Sequence, residues 1–240
     1  MLGRISASTG PVRPLKFIRQ VENGLILHLD AGLPSSYPGS GATWYDLSGR
    51  GNNATLYNTP SYSSSNGGIL TFSRSSAQYG DTSDLGSQSV WSVECWAKLN
   101  TNLNNGVNAF VTNVYNGSNL NFSLGSSEPS SNTLRAGFYN GSWRNTTGYG
   151  LSTSTWYHMV GTYNGSTVLL FVNNTQQGSL SYSGTPSSGG GVRIARRWDS
   201  DTASSNFVDG SIAVVRIYNR ALSTTEIAQN YNFQRSRFGY

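Results

Sequence analysis

The chain has 240 residues, a formal net charge of +5 and charged side chains at only 11% of its positions. This length suits one large β-sandwich or barrel, and such a chain buries roughly 70–75% of its unfolded surface without needing cross-links. The single cysteine, Cys95, excludes an intrachain disulfide, and no apolar run approaches the ~20 residues of a membrane-spanning helix.

The positive charge comes almost wholly from arginine, and it is spread along the chain. A nucleic-acid-binding domain would cluster its basic residues on one face. Nine of the 16 lie in an N-terminal set, one small internal group and a basic tail: Arg4, Arg13, Lys16 and Arg19; Arg193, Arg196 and Arg197; Arg235 and Arg237. The distribution favours surface and protein-contact arginines, without a nucleic-acid partner.

Residues 1–22 are predicted to form an extended arm. They contain Pro11, Pro14 and little hydrophobic periodicity, and they lack the apolar core of a signal peptide. Such an arm is either disordered or a tether to a partner. The tether hypothesis rests on its basic residues Arg4, Arg13, Lys16 and Arg19.

Residues 23–240 are predicted to form a single all-β domain. Short runs rich in β-branched and aromatic residues are separated by regular turn signals, which is typical of a sandwich or barrel. The predicted strands include residues 25–29, 69–72, 91–99, 110–115, 120–124, 134–139, 156–163, 168–172, 192–195 and 212–218. In residues 91–99 the alternation places Trp91, Val93, Cys95, Ala97 and Leu99 on one apolar face.

Two local signals define how parts of this domain are connected. Asn164-Gly165, between two predicted strands, indicates a tight hairpin with positive φ at both central positions. Ser223 and Glu226 have the spacing of a capping box, with Leu222 and Ile227 placed as a hydrophobic staple. The chain is therefore expected to close with a strand, a turn and one short helix.

Four segments, taken together, resemble a LamG-like jelly-roll domain of the concanavalin A-like lectin/glucanase superfamily. They are Gly24-Leu-Ile-Leu-His-Leu-Asp30, residues 44–56 with Asp46-Leu-Ser-Gly-Arg-Gly-Asn52, the hairpin from Trp156 to Asn173, and the closing string from Asp209 to Glu226. The resemblance covers about residues 24–232. It implies a two-sheet antiparallel jelly-roll sandwich with one short C-terminal helix.

Residues 30–41 and the ending from Asn230 to Tyr240 resemble, more specifically, domains of this kind in structural proteins of tailed bacteriophages. This resemblance implies a virion protein made in the bacterial cytoplasm, where neither a signal peptide nor disulfides are needed. Its implied partners are other capsid or tail proteins, with host surface glycans as a further partner. It implies no membrane insertion and leaves homo-oligomerisation open.

A calcium site is one alternative that the resemblance raises. In relatives the first loop and the closing strand meet, so Asp30, Asp46, Asn52, Asn53 and Asp209 could converge as oxygen ligands. The competing interpretation is that they are turn-forming residues. Two segments depart from the family in losing carboxylates: residues 72–79, and Ala213-Val214, where relatives often carry acids.

Enzymatic activity is not expected. Glycosidases need paired carboxylates, and the four glutamates, Glu22, Glu94, Glu128 and Glu226, share no strand. His28 and His158 have no nucleophile in a recognisable elbow, so we expect structural histidines. Cys95 lies on the apolar face of its strand and is expected to be buried and inert.

Loop-like aromatic segments are the candidates for glycan or partner binding, because aromatic faces stack on sugar rings and also anchor protein contacts. The candidate residues are Tyr139, Trp143, Arg144, Arg197, Trp198 and Asp199, with simple packing as the third alternative for the two tryptophans. Trp91, Trp96 and Trp156 fall in predicted strands and are expected in the core or on a sheet face.

The two functional hypotheses are a non-catalytic virion component held by its arm, and a free carbohydrate-binding module.

Overall fold

The computed structural model describes residues 19–103, 108–114, 119–126, 132–186, 190–197 and 206–240. In chain order the strands are β1 (Leu25–Asp30), β2 (Thr43–Trp44), β3 (Ala54–Tyr57), β4 (Ser61–Ser63), β5 (Ile69–Phe72), β6 (Tyr79–Thr82), β7 (Trp91–Leu99), β8 (Ala109–Asn113), β9 (Asn119–Gly125), β10 (Thr133–Asn140), β11 (Trp143–Asn145), β12 (Tyr149–Gly150), β13 (Trp156–Tyr163), β14 (Thr167–Val172), β15 (Thr175–Ser181), β16 (Val192–Ile194) and β17 (Gly210–Tyr218). Helix α1 is Thr224–Gln234, and a 3₁₀ turn, Arg235–Phe238, follows it.

The strands form two antiparallel sheets that face each other. Across the described residues, the first sheet has the order β15-β14-β13-β7-β17-β5-β4, with β1 also paired to β17. The second sheet has the order β11-β10-β9-β8-β16-β6-β3-β2, with β12 also paired to β10. The predicted two-sheet antiparallel sandwich with a short C-terminal helix is confirmed.

The main core fills the space between the sheets. The predicted apolar face of β7 lies in this core, since Trp91, Val93, Cys95, Ala97 and Leu99 are all at most 1% exposed and belong to one packed cluster. Burial raises the pKa of the Cys95 thiol well above its usual value, which keeps it protonated.

The opposite face of β7 is also buried, which alternation alone does not indicate. Helix α1 and the 3₁₀ turn cover the outer face of the first sheet, and Trp96 stacks on Phe238 with ring centroids 4.2 Å apart. Trp156 and Tyr231 complete this second apolar cluster. Strands covered on both sides explain why β7, β13 and β17 are almost continuously buried.

The predicted capping box forms at the start of α1. The Ser223 hydroxyl accepts from the backbone N–H of Glu226, and the Glu226 carboxylate accepts from the backbone N–H of Ser223. The staple residues Leu222 and Ile227 pack in one buried cluster. Glu226 also forms an ion pair with Arg220 at 2.7 Å, so its negative charge is used at the helix N-terminus.

The hairpin at Asn164-Gly165 is present, but the predicted turn geometry is wrong. Gly165 has φ +95°, whereas Asn164 does not have positive φ, and its side-chain oxygen instead accepts from the backbone N–H groups of Ser166 and Thr167. The two-residue turn with positive φ at both positions is the next one, Asn173 and Asn174, between β14 and β15. Asparagine tolerates this conformation because its side chain hydrogen-bonds locally.

The segment from Tyr139 to Arg144, predicted as a loop, is a hairpin. Strands β10 and β11 pair directly across it, and Gly141 has φ +85° in its turn. Helices long and apolar enough to cross a membrane are not found in the described part of the chain.

Candidate functional site

Trp143 and Tyr139 form an aromatic pair at the edge of the second sheet. They lie directly opposite each other in the β10–β11 register, and their rings meet edge to face with centroids 5.4 Å apart. Their neighbour Phe138 points into the core, so the alternation of strand side chains places the pair on the outer face. Trp143 is 38% exposed, whereas the described strand tryptophans Trp91, Trp96 and Trp156 are buried as predicted.

Arg144 does not share a face with Trp143. It lies opposite Phe138, and its guanidinium sits over the ring of Tyr182 at 4.3 Å. The Tyr182 hydroxyl accepts from Asn140 Nδ2 at 2.7 Å. Arg144 therefore closes the end of the sandwich core, and the predicted Tyr139–Trp143–Arg144 set separates into an exposed pair and a packed arginine.

The second predicted aromatic segment is described only at its beginning. Arg197 lies beside Arg196 after β16, and its backbone oxygen accepts from Arg193 Nη1 at 3.4 Å. Trp198 and Asp199 lie outside the described residues, so their proposed roles stay predictions. Arg196 is 6% exposed, with its guanidinium 4.5 Å from the ring centre of Tyr79.

Arg196 belongs to a surface that sequence reasoning missed. Tyr57 and Tyr79, neighbours across β3 and β6, stack with centroids 4.6 Å apart and an interplanar angle of 8°. Asp81 and Arg193, also cross-strand neighbours, form an ion pair at 3.4 Å. Burial raises the pKa of Asp81 to about 6, although Arg193 opposes this. Cross-strand pairing assembled these residues, and no sequence spacing indicated it.

The proposed calcium ligands are each bonded to protein donors. The Asp30 carboxylate accepts from Arg237 Nη1 at 2.9 Å, from Gln234 Nε2 at 2.8 Å and from the Gly32 N–H at 2.8 Å. A cation there would have to displace an arginine, which does not fit a calcium site.

Asp46 and Asn53 are bonded within their own turn. Asp46 accepts from the backbone N–H groups of His28, Ser48 and Asn52, and the Asn53 side chain accepts from the Asp46 N–H. Asp209 accepts from the Thr101 hydroxyl at 3.2 Å. Clusters of three acidic, histidine or cysteine residues that could hold a metal are not found among the described residues. Calcium binding by this set stays a prediction.

Glu94 is buried in a polar network between the first sheet and helix α1. Its carboxylate accepts from Arg216 Nη1 at 2.7 Å and from Asn230 Nδ2 at 2.6 Å, and His158 Nε2 lies 3.1 Å away. Burial alone would raise the pKa of Glu94, but Arg216, His158 and Asn230 outweigh it and hold the pKa well below its usual range. A fully buried, ionised and paired carboxylate cannot reach a substrate.

The same network fixes the end of the predicted arm. The backbone N–H of Val21 donates to Asn230 Oδ1 at 2.8 Å, and the Tyr218 hydroxyl donates to the Val21 carbonyl at 3.0 Å. Gln229 Nε2 donates to the carbonyl of Arg19 at 2.8 Å. Residues 19–22, predicted as arm, thus pack on the sandwich, while Arg4, Arg13 and Lys16 lie outside the described residues.

The chain belongs to the concanavalin A-like lectin/glucanases superfamily, because the family model Laminin_G_3 of this superfamily matches residues 72–228. No curated protein matches it in sequence.

Solved structures share the fold at low sequence identity. Domain 4 of AbnA, a GH43 extracellular arabinanase from Geobacillus stearothermophilus in complex with arabinotriose, is 16% identical over 86% of this chain and 98% of that one, with a TM-score of 0.65. The receptor-binding domain of botulinum neurotoxin type G is 17% identical over 88% of this chain, with a TM-score of 0.63; the match spans 52% of that domain's length. Trypanosoma rangeli sialidase is 15% identical over 96% of this chain and 36% of its own, with a TM-score of 0.62. Likeness at these identities shows the fold alone.

Proposed function

We propose that this protein is a non-catalytic, glycan-binding structural component of a tailed-bacteriophage virion. The observation that carries the glycan-binding part is the exposed Trp143, braced against Tyr139 on the outer face of the second sheet. An indole held at a sheet edge offers a large apolar face at little cost in conformational entropy, because the backbone and its neighbour already fix it. Sugar rings present a complementary face of C–H groups.

Relatives of the same fold support a recognition role. The arabinanase domain is in complex with arabinotriose, and entry of botulinum neurotoxin type C depends on interaction with two ganglioside molecules. The matched part spans 98% of the arabinanase domain and 51% of the neurotoxin chain. For the present chain we propose the same class of ligand, a surface polysaccharide of the host.

The non-catalytic part rests on the state of the carboxylates. Glu94 is sealed against Arg216, and Glu226 is engaged by Ser223 and Arg220. Most glycosidases hydrolyse the glycosidic bond with two carboxyl groups that face one accessible bond. We therefore expect no polysaccharide hydrolysis by the wild type, and hydrolysis that is lost in a Glu94→Gln variant that stays folded would contradict the proposal.

We expect Trp143→Ala to weaken glycan binding by about tenfold or more, because truncating a central aromatic contact typically costs above 1 kcal/mol. Binding of the labelled full chain to a glycan array, with and without calcium, measures this. Phe233→Ala is the matched control, since Phe233 is an equally exposed aromatic, at 38%, on helix α1. Binding in Trp143→Ala that is as tight as in the wild type, or no binding to any glycan, would overturn the proposal.

The virion part of the proposal rests on the basic arm. Residues 19–23 pack on the sandwich, so a truncation that tests the arm must end before them. Removal of residues 2–18 keeps the Val21 contacts with Asn230 and Tyr218, so the sandwich should keep its melting temperature. We expect the truncated chain to be lost from purified particles. A full-length variant with Arg4, Arg13 and Lys16 changed to alanine separates charge from length.

Normal incorporation of the truncated chain into particles would refute the tether while leaving glycan binding intact. Absence of the full-length chain from purified particles, with glycan binding intact, would favour the second candidate, a free module that targets cell-surface polysaccharide. The two parts of the proposal therefore fail separately.

A further inference from the structure

A pocket of about 390 Å³ opens at the far edge of the sandwich from Trp143. It lies where the chain crosses from β3, the neighbour of the terminal strand β2 in the second sheet, to β4, the terminal strand of the first sheet. Leu56 and Pro60 contribute buried apolar surface, and residues 39–42 form the opposite rim. This volume is at the small end of the ≈ 300–1,000 Å³ range of small-molecule sites, so it suits a single sugar unit.

Two tyrosines form its aromatic wall. Tyr37 is 4% exposed and donates its hydroxyl hydrogen to the Gly41 carbonyl at 2.9 Å, which fixes both the ring and the rim. Tyr62 is 37% exposed, and its ring centre lies 5.5 Å from that of Tyr37 at an angle of 48°. One ring is thus rigid and buried, and the other presents an open face to a ligand.

The remaining wall is a strained turn held in place from outside. Asn58 and Thr59 both have positive φ, +58° and +52°, which is costly for a β-branched threonine. Gln78 Nε2 donates to the carbonyls of Asn58 and Thr59 at 2.8 and 2.9 Å, and Asn58 Nδ2 donates to the Ala77 carbonyl at 2.7 Å. Such over-determined strain is characteristic of ligand-binding sites.

The lining contains no charged residue within the described part of the chain; its polar groups are hydroxyls and backbone amides, including Ser40 and Thr59. A charged ligand would lose its hydration there without an ion pair in return. A neutral pyranose or furanose instead offers an apolar face to Tyr62 and hydroxyls to the rim.

We propose that this pocket binds a neutral monosaccharide unit, stacked on Tyr62. The proposal adds a second glycan site of defined chemistry to the proposed function, and it stands on different residues from the Trp143 surface. It predicts selectivity for uncharged sugars over sialic acid.

The test uses amide spectra of the ¹⁵N-labelled full chain with methyl glycosides of neutral hexoses and pentoses as probes. We expect at least one of them to shift the resonances of Gly39, Gly41 and Thr59, with N-acetylneuraminic acid leaving them unchanged. Tyr62→Ala should weaken this binding about tenfold, and Tyr62→Phe, which keeps the ring, should retain it. Ala42→Arg, at an exposed rim position, should block the pocket without touching the core.

Trp143→Ala should leave these shifts intact, which separates failure of this pocket from failure of the Trp143 surface. The proposal is overturned if no neutral glycoside shifts these resonances, if Tyr62→Ala binds as tightly as the wild type, or if sialic acid binds equally well. Shifts produced instead by a proline-rich peptide would also overturn it, since they would assign the aromatic wall to a protein partner.

Discussion

Arg216→Met is expected to lower the free energy of unfolding by about 3–5 kcal/mol, the cost of leaving a buried charge without its partner. Arg216 and Glu94 are both fully buried, with 2.7 Å between Nη1 and Oε1. Methionine fills much of the volume but supplies no donor, so the Glu94 carboxylate would remain fully buried with only Asn230 and His158 beside it. Urea unfolding followed by tryptophan fluorescence measures the effect.

A double-mutant cycle shows whether the loss comes from the stranded charge. Glu94→Gln combined with Arg216→Met removes both charges, and we expect it to recover a large part of the stability lost in Arg216→Met alone. Lys98→Met is the control, because Lys98 is a partly exposed basic residue on β7, the strand of Glu94, and it should change stability little. A loss below about 1 kcal/mol in Arg216→Met, or no recovery in the double variant, would contradict this account.

Distance along the chain explains why the Ser223–Glu226 capping box was predictable and the contacts of Glu94 were not. The closing strand and the Ser223–Glu226 box depend on neighbours within a few residues, so the sequence pattern predicted both. Glu94 looked isolated because its partners Arg216 and Asn230 are 122 and 136 residues away along the chain. Alternation in β7 separated its two faces correctly. The alternation does not reveal that helix α1 covers the second face.

The candidate site also has features that the sequence predicted and features that it did not. That Trp143 would be more exposed than Trp91, Trp96 and Trp156 followed from strand patterning. Its separation from Arg144 did not, because the segment was predicted as a loop, and the period of two applies only once a hairpin is recognised. The Tyr37–Tyr62 pocket depends on the meeting of two sheet edges, a tertiary contact that no local spacing of tyrosines reveals.

Acid pH is expected to destabilise the protein through His28 by up to about 3 kcal/mol between about pH 6.5 and pH 4. Burial, reinforced by the charge of Arg216, lowers the pKa of His28 from 6.5 to about 4, although Asp30, Glu94 and Asp46 oppose the shift. The unfolded chain therefore takes up this proton first as the pH falls. Stability provided by the neutral, buried ring is complete above pH 6.5 and is lost progressively toward pH 4.

Asp81 is expected to have the opposite effect on the pH dependence of stability. Burial raises its pKa from 3.8 to about 6, so in this window the folded state keeps a proton that the unfolded state has released, and stability falls as the pH rises. His28→Gln should thus flatten or reverse the acid-side decline, and Asp81→Asn should steepen it. The measurement is the urea midpoint of wild type and both variants between about pH 4.5 and 7.

The two variants distinguish a titration effect from a packing effect. A general loss of packing would shift the urea midpoint by the same amount at each pH, whereas removal of a titrating group changes the slope of the midpoint against pH. Parallel profiles for wild type and His28→Gln would mean that His28 takes up its proton over the same pH range in the folded and unfolded states. In that case its ring would have to lie beside Arg216 as a second positive charge, which is the arrangement that its burial at 2% exposure argues against.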